Sequence, residues 1–199
     1  MPDLFFDVFD ELQFSNSLHT ILKDAYVIRI SMNKSHTIMR LYLKFQTLIP
    51  KNRIKKMEEE IKNQYFQDDI VSVSIIESFQ LSEQFTPEKV YEQYRDSMLD
   101  ELFMDHHLLY SFIKNAKISF DHQHIFVEVD DYSVVKTYEA SIYQYLFKIF
   151  HDRCGLEITI DIHYKEVEKN QYRKENELII KNKVDAIFET ESNHSKTAL

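Results

Sequence analysis

The chain has 199 residues, 44% apolar and 29% charged, with a formal net charge of −9, one cysteine and one glycine. Such values fit a folded chain with a substantial core, and the acidic balance excludes a general nucleic-acid coat protein, whose phosphate neutralisation needs clustered Lys and Arg. A lone Cys154 excludes an intramolecular disulfide or multi-cysteine zinc site, and a lone Gly155 excludes the glycine-dependent P-loop, dinucleotide fingerprint and nucleophile elbow.

In chain order, Phe5, Phe9 and Leu12 lie at helical spacing and predict a short amphipathic opening helix. Tyr26, Ile28, Ile30 and Met32 then alternate with Val27, Arg29 and Ser31, which predicts a strand with those two sets on opposite faces. Asn33-Lys34-Ser35-His36 reads as a turn into a second strand through Met39, Leu41, Leu43 and Phe45. Pro50 stops that strand and starts a helix with Ile54, Met57, Ile61 and Tyr65 on one face. Val71, Val73 and Ile75 predict a third strand.

A helical joint follows. Thr86-Pro87-Glu88 supplies an N-cap, a helix-starting proline and a carboxylate favoured by the helix dipole. Tyr91, Tyr94, Met98 and Leu102 form its inward face, and His106–Asn115 predicts a shorter second helix. The first pattern then recurs. Ile118 and Phe120 make a short strand, Asp121-His122-Gln123 a tight turn, and Ile125, Val127 and Val129 a second strand. Asp130 or Asp131 is expected to cap one long helix whose face is Val135, Tyr138, Ile142, Tyr145 and Ile149. Gly155 is placed to end it in a left-handed turn, before a closing strand through Ile158, Ile160 and Ile162.

Beyond Lys165 charge dominates, and apolar spacing returns only at Ile180, Val184 and Ile187, which predicts an exposed connecting helix and a disordered tail. A folded unit leading into such a helix reads as the front of a longer protein. The start Met1-Pro2-Asp3-Leu4-Phe5-Phe6 lacks a basic, apolar leader, and no apolar run approaches the ~20 residues of a membrane span, so a soluble cytoplasmic protein with no membrane partner is expected.

Strand-strand-helix-strand thus appears twice, giving an α+β fold of two tandem units with extra helices. The right-handed crossover rule places each closing strand parallel to the second strand of its unit. The expected organisation is module I at 1–80, module II at 81–165, and a charged connecting helix and tail at 166–199. A leading helix before strand-strand-helix-strand approaches the type II KH arrangement.

Chemistry-bearing residues are sparse. Lys51, Arg53, Lys55 and Lys56 form the densest basic cluster, which Lys34, Arg40 and Lys44 extend into a candidate surface for nucleic acid or an acidic partner. Glu58, Glu59 and Glu60 follow at once, so a solvated, internally paired helix face is the plainer reading. His122 with His124, and His151 with Cys154, have ligand-like spacing but no third or fourth ligand nearby in sequence. Cys154 lacks a recognisable base, and helix capping accounts for Asp130 and Asp131 beside Glu128 more simply than a two-metal site. No catalytic residue, metal, cofactor or small-molecule substrate is expected.

The chain resembles the N-terminal region of the PolC-type DNA polymerase III alpha subunit, the replicative polymerase of low-GC Gram-positive bacteria. The resemblance lies in Ala25–Phe45 with Thr47-Leu48-Ile49-Pro50, in Phe85-Thr86-Pro87-Glu88 leading to Asp100-Glu101-Leu102, and in Phe147–Gly155. It covers most of residues 20–190 through patterned apolar and turn residues. In that family the region implies two modules, the first similar to an inactivated type II KH domain and to the alpha-binding domain (domain V) of the clamp-loader tau subunit. It implies a non-catalytic docking role in the replisome, with replisome proteins such as tau as partners, and DNA as the alternative partner through the basic face around residues 34–56. The family's full-length protein is a DNA-directed DNA polymerase with a 3′–5′ exonuclease, but none of those catalytic parts is present here. Met104-Asp105-His106 departs from the Ser-Pro pair that relatives often carry after the joint helix. The Gly-x-x-Gly clamp of nucleotide-binding KH domains is also absent.

Overall fold

Two hairpins organise the molecule, each followed by helix and then by a strand that pairs beside the hairpin's second strand. The computed structural model describes residues 2–66 and 70–166. The expected connecting helix and tail over 167–199 lie outside the described residues. Met1–Lys165 forms one compact unit carrying both sheets. The fold is mixed α+β, with two small mixed sheets and several helices.

The first sheet runs β1 (Asp3–Leu4), β2 (Tyr26–Met32), β3 (Ile38–Phe45), β4 (Ser72–Phe79) in spatial order, antiparallel except for the parallel β3–β4 pair. Apolar alternation settles the faces of β3 and β4. Met39, Leu41, Leu43 and Phe45 are buried beside Val73, Ile75 and Phe79, while Arg40, Tyr42 and Lys44 point to the other side. On β2 the register shifts between Val27, opposite Leu43, and Arg29, opposite Tyr42. This bulge at Ile28 overturns the simple alternation read from the sequence. An extra residue on one strand reverses the facing of everything after it, so Ile30 and Met32 share the side of Leu41 and Met39 whereas Arg29 joins Tyr42.

The opening differs too. Instead of one helix, β1 is followed by a single turn α1 (Phe5–Val8) and by α2 (Asn16–Leu22), although Phe5, Phe9 and Leu12 are all buried as their spacing implied. The helix α3 (Lys51–Tyr65) buries Ile54, Met57 and Ile61 and joins β3 to β4. Pro50 sits at its N-cap, where a missing N–H leaves no helical bond unmade.

The long helix α4 (Pro87–Asp105) starts as expected, with the Thr86 hydroxyl accepting from the Lys89 N–H at 3.3 Å. It serves both sheets. Tyr94 meets Phe79 of β4 edge to face at 5.5 Å, and Tyr91 meets Phe120 of the second sheet at 5.4 Å. α5 (His107–Asn115) follows after His106 alone, and its Leu109 and Ile113 are buried.

The second sheet is β5 (Lys117–Asp121), β6 (His124–Asp130), β7 (Thr159–Lys165), with β5–β6 antiparallel and β6–β7 parallel. The crossover is three pieces, not one capped helix: α6 (Ser133–Thr137), α7 (Glu139–Phe147) and a π-helical turn at Lys148–Arg153. Neither Asp130 nor Asp131 caps it. Tyr132 holds the N-cap without a side-chain bond, because the Asp131 carboxylate is drawn 2.6 Å from Lys136 and its N–H donates to the Lys165 carbonyl. Gly155 has φ +68°, in the left-handed region, and its N–H donates to the His151 carbonyl at 2.8 Å. It therefore ends the helix as its position in the sequence implied.

Candidate functional site

The seven basic residues singled out from the sequence do not form one surface. Lys34 sits exposed in the β2–β3 turn, which the Asn33 side chain ties together by accepting from the Thr37 and Ile38 N–H groups at 2.8 and 2.9 Å. Arg40 and Lys44 lie on the outer face of the first sheet, the side opposite its buried Leu41 and Leu43. Arg53 donates to Ser17 Oγ at 3.3 Å, and Lys55 is half-buried along α3 while Lys56 is exposed. Lys51 turns inward.

Lys51 belongs to a buried charge cluster. Its Nζ lies 2.9 Å from Glu77 Oε1 and 3.7 Å from Glu101 Oε2. Arg153 holds Glu101 in a two-pronged pair at 2.6 and 2.7 Å and reaches Glu77 at 3.0 Å. Lys148 approaches Glu101 from the solvent side at 3.4 Å, and the Tyr94 hydroxyl donates to Glu77 at 3.4 Å. The Lys51 N–H also donates to Ser97 Oγ, and the Tyr145 hydroxyl to the Met98 carbonyl at 2.8 Å. Glu77, Glu101 and Arg153 are all buried.

Balanced charge is what lets this cluster sit in a core. An isolated buried ion would lose several kcal/mol of hydration, but here two carboxylates face Lys51 and Arg153. For Glu101, burial alone would raise the carboxyl. The Arg153 hydrogen bonds, then the charges of Arg153, Lys51 and Lys148, outweigh it and hold the group at about 2. Burial works against the Arg153 cation, but its bonds to Glu101 and the charge of Glu77 keep it above its ordinary value. Burial pushes the Tyr94 and Tyr145 phenols upward as well. The cluster joins β4, the start of α3, the middle of α4 and the π turn, so it fastens the first sheet to the crossover of the second. Arg153 Nε is left without a partner.

Sequence reasoning passed over these three residues, yet a signal existed. Glu77 occupies the apolar side of the 73-75-77-79 alternation, and Glu101 falls on the inward stripe of α4 with Met98 and Leu102. A carboxylate on a buried stripe implies a buried cation.

The other candidates are dispersed. His122, with φ 53° in its turn, pairs with Asp121 at 2.8 Å, whereas the His124 ring meets Thr159 Oγ1 at 2.6 Å. His151 stacks on Phe147 at 4.4 Å, and Cys154 is buried, its thiol pushed up to about 12 by burial. Such a thiol is a poor nucleophile at neutral pH. Glu128 faces Lys117 and His163 across the second sheet, apart from the Asp131–Lys136 pair. Among the described residues no group of three or more His, Cys, Asp or Glu is gathered.

A cleft of about 560 Å³ opens at the α4–α5 corner against α7, lined by Glu101, Leu102, His106, Leu109, Tyr145 and Lys148 among others. Leu108, 51% exposed, lines this cleft too, while Phe103 and Met104, 53% and 64% exposed, line a neighbouring hollow with Lys51, Lys55 and Asp100. Among the described residues no helix is long and apolar enough to cross a membrane.

No curated protein matches the chain. Among solved structures, one from studies of CdsD, a structural protein of the type III secretion system of Chlamydia trachomatis, aligns over 83% of this chain with 11% identity and a TM-score of 0.29. The chain spans 64% of that structure, and a likeness so weak carries no argument about fold. A family model does match: residues 4–75, which hold β1 through most of β4, match the family described as DNA polymerase III polC-type N-terminus I, the N-terminal region of the PolC-type polymerase.

Proposed function

We propose that this chain is the non-catalytic N-terminal region of a PolC-type replicative DNA polymerase III alpha subunit and docks a protein of the replisome in the cytoplasm. The observation that carries the reading is the family match over residues 4–75. Supporting it, the densest ionisable cluster is satisfied by its own ion pairs and joins elements inside the core, with Glu101 and Lys148 of it bordering the cleft. Two modules, 1–80 and 81–165, each of the type II KH-like and tau-domain-like strand-strand-helix-strand design, accord with the two sheets, each a hairpin with a parallel closing strand.

The docking face is the α4–α5 corner. Phe103, Met104 and Leu108 supply the apolar anchors, and Asp105, His106, His107 and Lys148 the polar rim that sets partner choice. The partner is a replisome protein, the clamp-loader tau subunit first among those tested. A pull-down at low salt with immobilised cognate tau subunit is expected to retain the wild-type chain and to lose a Met104→Asp, Leu108→Asp variant. Recovery of neither, with both folded by circular dichroism, would contradict the reading.

A further inference from the structure

The outer face of the first sheet is chemically unlike the rest of this acidic chain. Cross-strand register places Tyr26 opposite Lys44, Arg29 opposite Tyr42 and Ser31 opposite Arg40, and on β4 the same side carries only Ser72, Ser74, Ile76 and Ser78. The face thus holds three cations and two phenols, while no strand position paired on it is a carboxylate. The outer face of the second sheet is more acidic, presenting Asp121, Glu128, Asp130 and Asp161 with Lys117, Lys165 and the stacked His124, Phe126 and His163 among them.

The bulge at Ile28 builds this surface. Without the register shift, Arg29 would share the buried side of Val27; with it, the guanidinium lies 4.9 Å over the Tyr42 ring on the outer side. A bulge that re-aims one side chain is a common device beside functional surfaces. Arg29 and Arg40 are exposed, and Tyr26, Tyr42 and Lys44 half-buried, so the cations are open to a ligand, and the Tyr42 ring is opened when Arg29 leaves it for a phosphate. Tyr26 and Tyr42 are diagonal neighbours, which on one sheet face means about 7–8 Å between them. That spacing suits successive unstacked bases, and the flanking cations suit the phosphates that join them.

We infer that the outer face of the first sheet binds single-stranded nucleic acid, with Tyr26 and Tyr42 as stacking surfaces and Arg29, Arg40 and Lys44 as phosphate contacts. The site is separate from the α4–α5 docking corner and does not depend on it. It also differs from a surface on α3, because Lys51 is committed to Glu77 and Glu101. An acidic protein segment would use the same cations but has no need of the two rings, so stacking separates the two occupants.

The test is fluorescence anisotropy of the full chain with a labelled oligothymidylate of about 15 nucleotides, within the span of one stacking platform. Three phosphate contacts on a single strand predict that log affinity falls with log salt at a slope near −2. Arg40→Glu with Lys44→Glu is expected to weaken binding at least tenfold, and Tyr42→Ala about tenfold, through loss of one stacked base. Lys55→Glu with Lys56→Glu on α3 is expected to leave affinity unchanged. All positions are at least partly solvent-facing, and unaltered thermal melts verify the fold of each variant. Absent binding at low salt, loss confined to the α3 variant, or indifference to both sheet variants would overturn the inference. Equal binding of a polyglutamate peptide with no effect of Tyr42→Ala would overturn it in favour of an acidic protein segment.

Discussion

Replacing Glu101 with glutamine keeps the shape of the side chain and removes the charge that Arg153 grips at 2.6 and 2.7 Å. The buried guanidinium then keeps only Glu77, at 3.0 Å, which Lys51 also claims at 2.9 Å. Breaking one partner out of a buried ion pair typically destabilises by about 3–5 kcal/mol. The titration of Glu101 gives a consistent figure. A carboxyl held at about 2 rather than its ordinary 4.5 corresponds to roughly 3 kcal/mol of favourable interaction. For a folded unit of this size, that lowers the melting temperature by roughly 10 °C. Urea unfolding followed by far-UV circular dichroism measures it directly. A cycle with Arg153→Met should return a coupling energy above about 2 kcal/mol, since the two groups bond each other. Replacing Lys51, Glu77, Glu101 and Arg153 together by Leu or Met should cost far less than the Glu101 change alone, because no buried ion is then stranded. A Glu101→Gln loss below about 1 kcal/mol, or additive effects in the cycle, would refute the assignment of this cluster as the fastening between the two sheets.

Three further outcomes follow from the same geometry. Because Glu101 is depressed in the folded state, its contribution is whole above about 4.5 and is lost as pH falls toward 2, while Glu58, whose carboxyl is raised by burial, works in the opposite sense; unfolding curves taken down this range should show declining stability. Cys154, buried with its thiol near 12, should resist alkylation by iodoacetamide at pH 8 and react fully in urea, and rapid labelling of the folded chain would contradict its placement. Gly155→Ala meets no atom within 4 Å of the new Cβ, so its penalty is the left-handed backbone alone, about 1 kcal/mol by chemical denaturation.

Much of this architecture is legible in the sequence because alternation and helical spacing are local. The hairpins, the Thr86 cap and the Gly155 stop follow from neighbours a few residues apart, and the parallel closing strands from the handedness of the crossover. Features set by distant partners are not. The Ile28 bulge depends on how β2 seats against β3, and nothing in the run Tyr26–Met32 shows where alternation slips. The crossover breaks into three pieces although its apolar face reads continuously: the backbone leaves the helical range at Tyr138, and the π turn lets Ile149, Phe150 and Arg153 all face inward. The basic run around Lys51 reads as one surface, but strand facing and the Glu77 pair put Arg40 and Lys51 on opposite sides of the first sheet. Conversely, Arg29, Tyr26 and Tyr42 form a face only once the strands pair.

The docking role meets its most direct test in isothermal titration of the full chain with purified cognate tau subunit at low salt. Saturable binding that weakens at least tenfold when Met104 and Leu108 become aspartate is the predicted result. Heat no greater than dilution for the folded wild-type chain, or affinity indifferent to those substitutions, would contradict it.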